Sequence, residues 1–137
     1  MNKLNLPKDE MAFRKIYKDL VANEKITTVF RPGKRVCGDF RGYCLGEIVT
    51  IRTIEQVGAD WASLAPKFDN NFFKKIEITG TTTFKIKELT EADFVGSSPD
   101  IKDIESLKYH LGTIYNLSIE DVDEDAIVTK IQFKYKN

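Results

Sequence analysis

At 137 residues and 15.7 kDa the chain is the size of one domain, and a 42% hydrophobic content with nine Phe, five Tyr and one Trp supplies a real core. These figures exclude a disordered chain, a collagen-like repeat and a disulfide-stapled miniprotein. Basic and acidic side chains number 21 each, so no general polyanion binder is indicated, yet residues 1–52 hold 11 basic and 6 acidic side chains while residues 89–137 hold 5 and 10. A fold that gathers the first third on one face gives that face an attraction for anions.

The start, Met1 to Glu10, has no apolar stretch ahead of Asp9 and Glu10 and does not read as a signal peptide. No run of about 18 apolar residues exists to span a membrane, so a cytoplasmic protein is expected. From Pro7 to Glu24, Met11, Phe13, Ile16, Tyr17, Leu20 and Val21 fall on a broad helical face, which predicts an N-terminal helix around residues 8–24. Lys25-Ile26-Thr27-Thr28-Val29-Phe30-Arg31 is β-branched and aromatic and predicts a strand, stopped by the Pro32-Gly33 turn. Cys37 and Cys44 stand seven apart without a second pair, which makes no zinc site. In a reducing cytosol they read as buried or loop-lining thiols ahead of a redox pair.

Glu47 to Ile54 predicts a second strand, and Glu55 to Asn71 a long loop holding Trp61 and Pro66. Phe73–Thr79 and Thr82–Lys87 flank Gly80-Thr81, the pattern of a hairpin or a bulge. Leu89 to Phe94 is a helical turn closed by Gly96. Ser98-Pro99-Asp100 then opens a helix with Ser98 as N-cap, and its apolar stripe runs through Ile101, Ile104, Leu107, Leu111, Ile114 and Tyr115. Five acids within 120–125 make a solvated loop before the last strand. There Ile127, Thr129, Ile131, Phe133 and Tyr135 alternate with Val128, Lys130, Gln132 and Lys134. With no βαβ rhythm, the expected fold is α+β: one domain over residues 1–137, a small mixed β-barrel of five or six strands with flanking helices.

The order of these pieces resembles the ASCH domains, a branch of the PUA-like superfamily. The matching residues are Lys25, Thr27, Thr28 and Arg31, then Gly46-Glu47-Ile48-Val49, Ile76-Glu77-Ile78-Thr79, Leu89-Thr90-Glu91, the helix from Asp100, and the strand from Val128 to Phe133. The resemblance implies a PUA-like barrel with a cleft between its wall and the helices. Family members are mostly regarded as RNA or nucleotide binders. A few bacterial members are acetylcytidine amidohydrolases that use the strand Lys and Thr with a Glu placed before the long helix. Thr28 keeps the family's spacing from Lys25, but Lys25 and Arg31 are six apart rather than five. Where those enzymes carry Glu, this chain reads Phe94-Val95-Gly96-Ser97-Ser98, with Asp93 as the nearest carboxylate.

The basic segment has its own chemistry. Arg31, Lys34 and Arg35 surround one turn; Arg offers a planar fork of donors to phosphate, Lys25 a compact charge, and Thr27 and Thr28 hydroxyls. A solvated charged turn is the plain counterpart of that reading. His110, the only histidine, lies beside an apolar helical stripe and reads as structural. Gly96 to Asp100 reads equally as an anion site at a helix N-terminus or as ordinary capping, and Trp61 as a loop anchor or a base-stacking ring. No phosphate loop, dinucleotide fingerprint or His-rich metal spacing occurs, and no cofactor or metal is expected. The functional expectation is a module for RNA or a modified nucleoside, binding through Lys25, Thr27, Thr28, Arg31, Lys34 and Arg35 and the cleft beside the barrel. The alternatives are an acetylcytidine-type amidohydrolase with Lys25 and Asp93 as its catalytic pair, or a protein-interaction domain.

Overall fold

In the computed structural model the described residues are 10–39, 42–54, 69, 71–114, 123 and 125–136. The predicted loop around Trp61, most of the acidic loop at 120–125, and Tyr115 lie outside them. The expected N-terminal helix is replaced by a strand and two short turns. Glu10-Met11-Ala12-Phe13-Arg14 forms β1 because burying every second side chain places Met11 and Phe13 in the core, a period of two. Lys15–Tyr17 is a 3-10 turn and Lys18–Ala22 the short helix α1. The helical pattern failed at Ile16, which is 65% exposed. A helical reading and a strand reading of Met11 and Phe13 share apolar positions, and parallel pairing of β1 with β3 decides between them.

The remaining strands are β2 (Thr28–Pro32), β3 (Ile48–Ile54), β4 (Lys74–Lys85) and β5 (Ile127–Tyr135). Among the described residues they make one mixed sheet in the order β1-β3-β4-β5-β2, parallel only between β1 and β3. The Gly80-Thr81 signal marks no hairpin turn. It is a bulge inside one 12-residue strand, where the pairing with β5 shifts register between Ile78 and Gly80. That bend lets one long strand serve both ends of the sheet.

The sheet is not a closed barrel. β1 and β2 are its two edges, and side chains rather than backbone ladders cross the gap between them. The Arg31 guanidinium on β2 donates from Nη2 to the Ala12 carbonyl of β1 at 3.1 Å, and the Tyr43 hydroxyl donates to the Glu10 carbonyl at 3.2 Å. Closing the sheet by backbone would require β2 to lie alongside β1 within ladder distance.

Two apolar clusters lie on opposite faces. Met11, Phe13, Val29, Ile51, Ile76, Ile131 and Phe133 form one of them, together with Tyr17 and Val21. Phe30, Ile86, Phe94, Leu107, Leu111 and Val128 form the second, under the helix α2 (Ile104–Ile114). α2 begins later than expected. Asp103 is its cap, its carboxylate accepting the Ser106 N–H at 2.8 Å while the Ser106 hydroxyl accepts the Asp103 N–H at 3.1 Å. Ser98 is not the N-cap; it donates its hydroxyl to Asp100 instead.

The two cysteines are not free thiols. Cys37 and Cys44 form a disulfide with their Cα atoms 4.4 Å apart. Between them Asp39 accepts the Val36 N–H at 3.0 Å, and Gly42 packs so tightly on the Val36 carbonyl that a Cβ would collide with it. This folded-back loop, not the seven-residue spacing, brings the sulfurs together. No helix among the described residues is long and apolar enough to cross a membrane.

Candidate functional site

The six residues expected to bind a ligand do not form one site. Lys25 precedes β2 and is exposed, its N–H held by the Leu20 carbonyl at 2.8 Å. Arg31 lies six residues further on, roughly 20 Å along an extended chain. Lys34 is exposed on the turn beyond, and Arg35 is tied back by its Nε to the Pro32 carbonyl at 3.1 Å. The three cations of the turn therefore point to different places: Arg31 crosses the sheet edges, Arg35 braces its own turn, and Lys34 faces solvent.

Thr27 and Thr28 are fixed by the segment after the 3-10 turn Glu91–Phe94. The Gly96 carbonyl accepts both of their N–H groups, at 2.8 and 3.1 Å. Gly96 has φ +86°, and a Cβ there would collide with the Thr27 hydroxyl and stand 3.1 Å from that of Thr28. So the threonines do meet the stretch where the resemblance would place a Glu, but bare backbone stands opposite them. Asp93 faces elsewhere. Its carboxylate caps the Thr90 N–H at 2.8 Å and pairs with Lys130 of β5 at 3.1 Å. Burial raises the Asp93 carboxyl, and the Thr90 N–H with the Lys130 ammonium more than offsets it, holding it below the usual carboxylate range. Among the described residues no hydrogen bond or ion pair joins Asp93 to Lys25.

The polar convergence lies at the seam between the sheet edges. Tyr17, just after β1, donates its hydroxyl to Asp100 at 2.7 Å, and the buried Ser98 donates to the other carboxylate oxygen at 2.6 Å. His110 on α2 sets its ring 6.3 Å from the Tyr17 ring. Arg31 enters from β2 with its guanidinium 5.5 Å from the centre of the Phe13 ring. Arg14 ends β1 beside Tyr17.

The charges of this seam follow from burial and neighbours. Desolvation, then the bond to Asp100, raises the Tyr17 hydroxyl to about 12. Burial pushes Asp100 up, but the hydroxyls of Ser98 and Tyr17 and the nearby His110 outweigh it and keep its carboxyl below the usual range. His110 is lowered to about 4, by desolvation first and then by the Arg31 guanidinium, with Asp100 opposing and Arg14 adding. At neutral pH the seam thus presents two guanidiniums, one carboxylate and a neutral imidazole, which offers one donor and one acceptor.

Sequence reasoning missed Arg14, Tyr17 and Asp100 as site residues and set His110 aside as structural. No local signal couples them, since Tyr17 and Asp100 are 83 residues apart. Among the described residues no group of three or more His, Cys, Asp or Glu side chains is placed to hold a metal ion.

No protein-family model and no curated protein matches the sequence. The structure is similar to the crystal structure of the hypothetical protein PH0355, at 18% identity and TM-score 0.52, over 93% of this chain and 97% of that one. A second likeness, at 13% identity and TM-score 0.47 over 88% of this chain and 70% of that one, is to an ASCH domain from Lactobacillus crispatus, of the family that the sequence resembles. At such identities the first likeness establishes a shared α+β fold.

Proposed function

We propose that the chain is a small RNA- or nucleoside-binding module whose ligand enters the open seam between β1 and β2. The observation that supports this reading is the seam itself. Edges left unpaired by the sheet are spanned by Arg31 and surrounded by Tyr17, Ser98, Asp100 and His110, so donors, acceptors and ring faces occur together. Bases are recognised by that combination of stacking surfaces and hydrogen bonds to their edges. Of the residues read from the sequence, Arg31 enters the site directly, and Thr27 and Thr28 support the segment that leads to Ser98 and Asp100. The hydrolytic alternative lacks a comparable observation, because Asp93 is engaged by Lys130 and Thr90.

Fluorescence anisotropy with a short single-stranded RNA, and competition by a nucleoside panel, tests the proposal. Binding that weakens from about 50 to about 200 mM salt, and that Arg31→Ala lowers about ten-fold or more, is the expected result, with the melting temperature as the check on folding. Absence of measurable binding to any RNA or nucleoside overturns it.

A further inference from the structure

The Cys37–Cys44 bridge joins two limbs of a loop that hydrogen bonds already hold together. On the first limb the Arg35 N–H donates to the Thr129 hydroxyl of β5 at 2.8 Å, and that hydroxyl donates to the Gly33 carbonyl at 2.7 Å. On the second limb the Tyr43 ring is buried, its hydroxyl reaches the Glu10 carbonyl of β1, and the Cys44 N–H is held by the Glu47 carboxylate at 2.9 Å. The limbs also meet directly. The Tyr43 N–H donates to the Arg35 carbonyl at 3.2 Å, and turn bonds run from Asp39 to Val36 and from Gly42 to Asp39. A disulfide stabilises most when it closes a long, otherwise free loop; here the cysteines are seven apart in sequence and the loop is closed without them. The two sulfurs differ in access. Cys37 is exposed, as are Lys34 and Gly38 around it, whereas Cys44 is half-buried next to the buried Tyr43. Exchange requires a thiolate to approach one sulfur from outside, and exposed bridges are the labile ones.

We infer that Cys37–Cys44 is a reversible thiol–disulfide exchange site for a small thiol of the glutathione class, with Cys37 the sulfur attacked and Cys44 the resolving one. The incoming thiolate bonds to Cys37 Sγ, the bridge breaks, and Cys44 leaves as a thiolate that takes up the proton the small thiol gave away. Cys44 can then attack Cys37 Sγ, expelling the small thiol and restoring the bridge. Alternatively a second small thiol attacks the sulfur of the first. That step releases a small-molecule disulfide and leaves two protein thiols, so two electrons pass from the two small thiols to the bridge. The hydrogen bonds that outlast the bridge keep the sulfurs at high effective concentration. The mixed disulfide is therefore short-lived, and the dithiol closes again when a small-molecule disulfide accepts its electrons. Neither cysteine belongs to the seam, so the exchange is independent of what the seam binds.

Equilibrating the whole chain with glutathione at varied ratios of its reduced and oxidised forms, then alkylating free thiols and weighing the intact protein, tests the inference. The expected result is a bridge that opens and recloses along one curve within that range. The melting temperature of the reduced chain should fall by less than about 5 °C, because the hydrogen bonds keep the loop closed. Cys44→Ser, which removes the resolving thiol, should accumulate one glutathionyl group on Cys37 when treated with oxidised glutathione. Cys37→Ser should react about ten-fold or more slowly, since its remaining sulfur is half-buried. A bridge that stays closed under excess reduced glutathione would overturn the inference, and so would a fall of about 10 °C or more on reduction, the mark of a structural staple. Equal rates in the two variants would overturn the assignment of Cys37 as the sulfur attacked. Should either variant fail to fold, acid quenching of the parent chain early in its reduction shows which cysteine carries the glutathionyl group, and Cys44 carrying it would overturn the same assignment.

Discussion

The paired interior of the sheet and its two open edges satisfy their backbone in different ways. β4 and β5 pair from Ile76–Tyr135 to Lys85–Ile127, using their backbone groups on each other, and the side chains beneath them are apolar, as at Ile78, Ile131 and Phe133. β1 and β2 do not pair with each other; the β1 carbonyls at Glu10 and Ala12 are met by Tyr43 and by Arg31 of β2. Backbone acceptors removed from water must find donors, so an open edge recruits polar side chains where a paired edge recruits packing. Those polar side chains are also the ones a ligand can meet. The candidate site is therefore a consequence of where backbone pairing stops.

The largest test of this contrast is on the paired side. Ile131 is fully buried at the register position opposite Val29, and Ile131→Asp places an unpaired carboxylate there. A loss above about 4 kcal/mol, enough to prevent folding, is expected. A chemical denaturation midpoint equal to the parent's would show that the alternation of β5 does not face the core.

A smaller effect is expected where the seam is anchored to β2. Gly96→Ala meets both a left-handed backbone and the Thr27 hydroxyl, for a loss of roughly 1–3 kcal/mol. Gly33 has φ +79° but open space around it, so Gly33→Ala should cost less, about 1 kcal/mol. Equal midpoints for the two variants would mean that the Thr27 contact does not constrain the segment.

The smallest effect is a dependence on pH specific to the seam. His110 titrates at about 4 in the folded chain against an ordinary 6.5. Between those values the unfolded chain takes up a proton that the folded chain refuses, so stability falls as pH drops through that window and levels off below it. His110→Gln should flatten the fall in melting temperature between pH 6.5 and 4. An identical profile in the variant would place the imidazole in solvent rather than between Tyr17, Arg31 and Asp100.

The strands with strict alternation were legible from the chain alone. β3 and β5 lie within a residue of where Glu47–Ile54 and the Ile127–Tyr135 pattern put them, because half-buried strands advertise a period of two. The turn closed by Gly96 was legible for a similar reason, since a left-handed position favours glycine. The N-terminal segment was not, because Met11 and Phe13 fit both periods until β3 lies beside them. The start of α2 was misplaced because Ser98 and Asp103 carry the same capping chemistry, and the hydroxyl of Ser98 is claimed by Asp100.

What the sequence determined by itself is the inventory: an α+β chain with its alternating strands, a basic first third, two cysteines, and an Arg at the end of the first predicted strand. Only the tertiary structure decided that the cysteines are bonded, that Lys25 and Arg31 serve opposite ends of β2, and that Arg14, Tyr17, Arg31, Asp100 and His110 share one seam. The reason is physical. Periodicity reports which side of an element is buried, a local property of the chain, whereas charge and hydrogen-bond partners are set by which distant edges meet. Here those edges are the two that the sheet leaves unpaired.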